Sequence, residues 1–113
     1  MVDYSFIGSR IRYFRHKSKY TQFQLAELLE VTDKYISLIE RGKEKVSLSR
    51  LFEISSIFSI DVSLLLYNPQ KYSESEIALL YDFLNKVNKW DEKDKEKLIL
   101  IIDIIDEIIN KKH

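Results

Sequence analysis

Apolar residues recur along this chain at spacings of three and four, a pattern that predicts helices from end to end. Ile7, Ile11 and Phe14 form one stripe and place a first helix from about Phe6 to Ser18. Thr21, with Gln24 three positions on, has capping-box spacing and starts a second helix whose inward residues are Leu25, Ala26 and Leu29. Thr32 is a good N-cap for a third, Asp33 suits the positive end of its dipole, and Gly42 ends it. In that helix Ile36 and Ile39 point one way while Lys34, Ser37 and Arg41 point another. The first set buries the helix, and the second set needs something to touch. A fourth helix begins near Ser47 with Leu51, Ile54 and Phe58 inward, and Asp61 caps a short fifth, VSLLLY. Asn68-Pro69 then breaks the series, because proline and the residue before it both disfavour helix continuation. Two longer helices follow, about Ser75–Asn88 and Asp91–Lys111. The expected organisation is residues 1–67, a linker over 68–74, and a two-helix hairpin over 75–113.

Composition narrows the class. Two glycines and one proline are too few for a hairpin-rich β protein, so the fold is expected to be all-α. Basic and acidic residues balance at 18 each, but not evenly along the chain. Ten basic and eight acidic residues precede Asn68, and eight and ten follow from it onward, giving a slightly basic front and a slightly acidic back. The absence of cysteine removes disulfide frameworks and thiolate metal sites and fits a reducing cytosol. The opening MVDYSFIGSRIRYF has no long apolar run of the secretory kind. LILIIDIIDEII (98–109) holds twelve residues, three of them acidic, short of the roughly 20 mostly apolar residues of a membrane span. A cytoplasmic protein is expected. With no glycine-rich phosphate loop and no metal-ligand cluster, neither an enzyme nor a bound cofactor is expected. His16 has no acid partner in sequence that would give it a catalytic role.

Two short helices joined by a three- or four-residue turn, the second with a polar face, form a helix-turn-helix pattern. The pieces IG-x-RIR-x-x-R (7–15), TQ-x-x-LA (21–26), V-T-x-x-x-IS-x-IERGK (31–43), SL-x-x-L (47–51) and I-D-V-S-x-LL (60–65) sharpen it. Together they resemble the phage-repressor-like (Cro/Xre) helix-turn-helix family across roughly half of the chain. The resemblance implies a five-helix lambda-repressor-like domain whose third helix lies in the DNA major groove. Carried over by position, it implies base contacts from Asp33, Lys34, Ser37 and Leu38. Lys34 can donate to guanine, Ser37 can reach either kind of edge, and Leu38 can pack on a thymine methyl or against the core. Asp33 either accepts from cytosine or serves the helix N-terminus. Gln22, Thr32, Tyr35, Arg41, Lys43 and Lys45 are the implied backbone contacts, which orient rather than specify. For Lys43 and Lys45 a solvated loop is the alternative. Arg15 and Glu40 match a pair that bridges the first helix to the end of the third. The other basic residues of the first helix, Arg10, Arg12, Lys17 and Lys19, read as a solvated face. This chain departs from the family where glycine is often found, at Lys19, Glu30 and Ser59, and where proline is, at Val46. A strained turn is expected at Glu30.

The tail poses a separate problem. Nine of the twelve residues in 98–109 are apolar, too many for one neighbouring helix to cover. Ile77, Leu80, Tyr81, Leu84 and Val87 of the preceding helix offer one surface, and a second copy of the chain offers the rest. Leu98, Ile101, Ile102, Ile105, Ile108 and Ile109 are therefore the expected dimerisation residues, the alternative being that the tail folds back on its own helix-turn-helix domain. The layout resembles SinR-like regulators, whose hairpin mediates self-association and sometimes takes an inhibitor protein. The expected function is a sequence-specific regulator, a repressor first, bound as a homodimer to a palindromic site on double-stranded DNA. The alternative is a protein-interaction module, an antitoxin or anti-regulator, whose hairpin captures a partner protein.

Overall fold

The computed structural model describes residues 3–68 and 70–111, with the side chains of Ile99, Ile102, Asp103, Asp106, Glu107, Ile109, Asn110 and Lys111 outside the description. Seven helices form among the described residues: α1 (Tyr4–Lys17), α2 (Gln22–Leu29), α3 (Asp33–Glu40), α4 (Leu48–Phe58), α5 (Ser63–Leu66), α6 (Glu74–Asn88) and α7 (Glu92–Lys111). The fold is all-α, as the apolar spacing predicts.

Local chemistry sets where each helix starts. Asp3, Thr21, Thr32, Ser47 and Ser73 each accept a hydrogen bond from a backbone N–H in the first turn, satisfying a donor that has no partner inside its helix. At α2 and α6 the capping box is complete, with Gln24 and Glu76 reaching back to the cap residue. The short α5 differs from expectation by one position. Val62 occupies its N-cap, and Asp61 instead holds the entrance by accepting from the backbone N–H and hydroxyl of Ser63, at 2.9 and 2.6 Å.

Helix ends are less ordinary. Lys19, Glu30 and Ser59 have φ of 63°, 58° and 55°, the left-handed region that penalises a Cβ. These are the three positions where glycine would have been the easy choice. Glu30 and Ser59 nevertheless close α2 and α4 by returning their N–H groups to carbonyls of the last turn.

The interior is one apolar cluster, running from Ile7 and Ile11 through Leu25, Ile36, Ile39 and Ile54 to Leu65, Leu84 and Val87. Burial of such side chains is the main favourable term, about 1.5–3 kcal/mol each. The cluster does not stop at the linker, because α6 adds Leu84 and Val87 to it. α1 and α2 both pack on α3, α6 rests on α5, and α7 lies along α4. A buried lysine lies at that last contact. Lys95 is 6% exposed, and its ammonium sits 4.8 Å from the centre of the Phe52 ring.

The glycine in α1 has a geometric reason. A Cβ on Gly8 would lie 2.2 Å from the Ile39 carbonyl oxygen and 2.8 Å from that of Glu40. Only a bare backbone lets α1 come this close to the end of α3.

Glu30→Gly removes a left-handed Cβ penalty from an exposed position, so it is expected to stabilise the fold by up to about 1 kcal/mol. Urea denaturation of the parent and the variant measures this. A lower midpoint in the variant would show that the turn is not strained.

Candidate nucleic-acid interface

The third helix is short, and its placement depends on what grips it. Ile36 and Ile39 are buried against the core, and Glu40 is buried beside them. Arg15 approaches Glu40 as a fork, Nε to Oε2 at 2.6 Å and Nη2 to Oε1 at 3.1 Å. Its remaining nitrogen, Nη1, donates to the Tyr20 carbonyl at 2.9 Å. Both members of the pair are 6% exposed. The geometry is what the planar guanidinium allows and an ammonium would not. The two bonds of the fork tie α1 to α3, and the Tyr20 bond also ties both to the loop before α2.

Gln22 joins the same cluster by donating from Nε2 to Glu40 Oε1 at 3.0 Å. Its amide nitrogen carries two protons, and one is used here. The sequence pattern did not reveal this link, since nothing in a spacing of 18 residues announces it.

With the C-terminal end of α3 held, its outer face can be read residue by residue. Asp33 and Lys34 are exposed, Ser37 and Leu38 are half-buried, and Tyr35 leans partly onto the core. Thr32 is exposed but occupied, its hydroxyl oxygen accepting from the Tyr35 N–H at 3.1 Å. Arg41 is exposed and folds back so that Nε donates to the Ser37 carbonyl at 3.3 Å. The chain then turns sharply, with Gly42 N–H bonding Ile39 O and Lys43 N–H bonding Leu38 O. Gly42 is at φ 70°, and a Cβ there would lie 2.7 Å from Ser5 Cα. This turn presents Lys43 and Lys45 to solvent. Asp33, Lys34, Arg41, Lys43 and Lys45 therefore all stand exposed on α3 or the turn that follows it.

Residues 11–65 match the model of the family described as HTH_3, Helix-turn-helix. Those residues form a helix-turn-helix domain of this type. Its relatives agree. The regulator RamB of Mycobacterium tuberculosis is 29% identical over 59 residues, 52% of this chain and 12% of RamB. The immunity repressor protein of Bacillus phage phi105 is 32% identical over 91 residues, 80% of this chain and 58% of that one. The chain thus spans only part of these curated relatives. Among solved structures, the restriction-modification controller protein C.AhdI of Aeromonas hydrophila superposes with a TM-score of 0.53 at 28% identity, covering 57% of this chain and 93% of that one.

One reading of the helix-turn-helix domain changes. Arg10 is not a solvated cation, because its Nε donates to the Leu64 carbonyl at 3.0 Å and its guanidinium lies 5.0 Å from the Phe14 ring centre. It ties α1 to α5. Arg12, Lys17 and Lys19 remain exposed.

The dimerisation residues divide. Leu98 packs against the chain's own core, so it is already covered. Ile101, Ile105 and Ile108 are exposed at 53%, 44% and 53%, joined by Leu100 and Ile104. Ile102 and Ile109 lie outside the described residues. The apolar spacing marked the whole helix alike, and could not tell its docked start from its open end.

Removing Arg15 or Glu40 alone leaves a buried charge unpaired, and each single change to alanine is expected to cost about 3–5 kcal/mol. The double change is expected to cost less than the sum. Thermal melts of the four proteins in this cycle measure the coupling, and strict additivity would mean that the pair contributes nothing.

Proposed function

We propose that this chain is a sequence-specific DNA-binding transcriptional regulator, a repressor first, that reads the major groove of a palindromic site as a homodimer in the cytoplasm. The observation that carries the reading is the division of labour on α3. Ile36, Ile39 and Glu40 hold the helix from behind, and Asp33, Lys34, Ser37 and Leu38 are left on its outer side. In this reading Lys34, Ser37 and Leu38 face base edges, and Asp33 favours cytosine or supports the helix N-terminus. Gln22, Thr32, Tyr35, Arg41, Lys43 and Lys45 orient the domain on phosphates. RamB and the phage protein are regulators by name, which supports the same reading.

Self-association belongs to the proposal because α7 leaves a row of aliphatic side chains uncovered, Leu100, Ile101, Ile104, Ile105 and Ile108. Contiguous exposed apolar patches mark contact sites on soluble proteins. A two-fold pair would set two α3 helices about 34 Å apart, one turn of B-DNA or a multiple of it. The same row supports a second reading, capture of a regulatory protein by the tail. Random DNA separates the two: phosphate binding weakens steeply as salt rises, and a pure protein-interaction module shows no such dependence.

Lys34→Ala and Ser37→Ala are each expected to weaken binding to a site selected from random duplexes by about 1–3 kcal/mol, with the fold intact. Gel retardation with circular dichroism of the same samples measures both. Parent-like affinity in the two variants would overturn the assignment of α3.

Ile101→Asp with Ile105→Asp is expected to convert a dimer to a monomer. Sedimentation equilibrium at micromolar concentration tests it. A monomeric parent would remove the homodimer from the proposal and leave the domain reading untouched.

A further inference from the structure

Between the helix-turn-helix domain and the two C-terminal helices lies a half-open cavity of about 280 Å³. Tyr4, Ile7 and Leu51 line it from one side, and Leu80, Leu84 and Leu98 from the other. Asp3 and Lys71 stand together among its lining residues. We propose that this cavity is a binding site for a small organic acid with an apolar body of roughly ten carbons, its carboxylate received by Lys71.

Size sets the first limit. Sites for small molecules run from about 300 to 1,000 Å³, so this one lies at the lower edge and suits a compact ligand. It has room for about nine waters, but aliphatic and aromatic walls give water few partners, and an apolar body displaces it favourably.

Charge decides which end group fits. Asp3 is committed, since its Oδ1 accepts from the Phe6 N–H at 3.0 Å and caps α1. Its Oδ2 lies 3.9 Å from the Lys71 ammonium, too far for a hydrogen bond, and both side chains are more than half exposed. The ammonium therefore keeps donors for an incoming acceptor. An anion on an apolar body matches this arrangement.

The site also touches the proposed DNA surface, a consequence that rests on the DNA-binding reading. Tyr4 and Phe6 line the cavity on either side of Ser5, whose backbone abuts Gly42. Val46 and Leu48 line it from the far end of the same turn. Lys43 and Lys45 lie between those two supports. Occupancy of the cavity bears on the turn that carries two phosphate contacts, and so changes DNA affinity.

The test uses the full chain and decanoate below its micelle concentration, with decylamine as the same chain carrying the opposite charge. Calorimetry is expected to show one decanoate per chain, a rise in Tm, and decylamine binding at least tenfold weaker. Lys71→Ala, at an exposed position, is expected to weaken decanoate about two- to fivefold, the range of an exposed ion pair. Leu80→Trp is expected to fill the space and abolish binding. No saturable binding, equal binding of the two chains, or parent-like binding by both variants would overturn the site. Addition of decanoate to the DNA complex then reads the coupling. Decanoate binding by a protein that retains no DNA would sink the regulator reading and leave the site standing.

Discussion

The bond between Arg15 and Glu40 is the constraint on which the rest of the domain hangs. An eight-residue helix is too short to persist in water on its own account, because nucleation is costly and few bonds follow it. α3 therefore takes its position from tertiary contacts, and those contacts gather at one end. Glu40 receives Arg15 and Gln22, and the carbonyls of Ile39 and Glu40 lie against the bare backbone of Gly8. Charge and sterics act at the same place. A buried ion pair is not a cheap way to gain stability, since desolvation offsets most of its attraction. Its value here is geometric: the fork fixes both the distance and the rotation of α3 relative to α1.

Much of this was legible in the sequence because the signals are local. Thr21 with Gln24, Thr32 and Ser47 announce helix starts through chemistry that acts over three or four residues. The positions of Lys19, Glu30 and Ser59 came from the resemblance to a known family, which often has glycine at each, and all three have positive φ. Arg15 with Glu40 needed the resemblance to a known family, for no local rule joins residues 25 apart.

What was not legible shares one cause. Periodicity tells which face of a helix is apolar and is silent about what covers that face. Leu98 and Ile101 look alike in the sequence, yet one docks on the core and the other is exposed. Arg10 and Arg12 look alike too, and among the described residues only Arg10 finds a carbonyl, that of Leu64, 54 residues away. Lys95 gave the least warning, because lysine is among the residues least often buried.

Lys95 has a further consequence, for the order in which the molecule comes apart. Its ammonium is held under α4 by the Phe52 ring and by Glu92 at 3.5 Å, a long contact to a side chain that is mostly exposed. A charge kept from water on such terms lowers the net gain from docking α7, whereas α1 through α5 are joined by aliphatic packing and a fully paired fork. Proteins open first where buried apolar contact is least. α7 is thus the element that detaches while the helix-turn-helix domain is still folded, and partial melting widens the apolar surface at the tail before it disturbs α3.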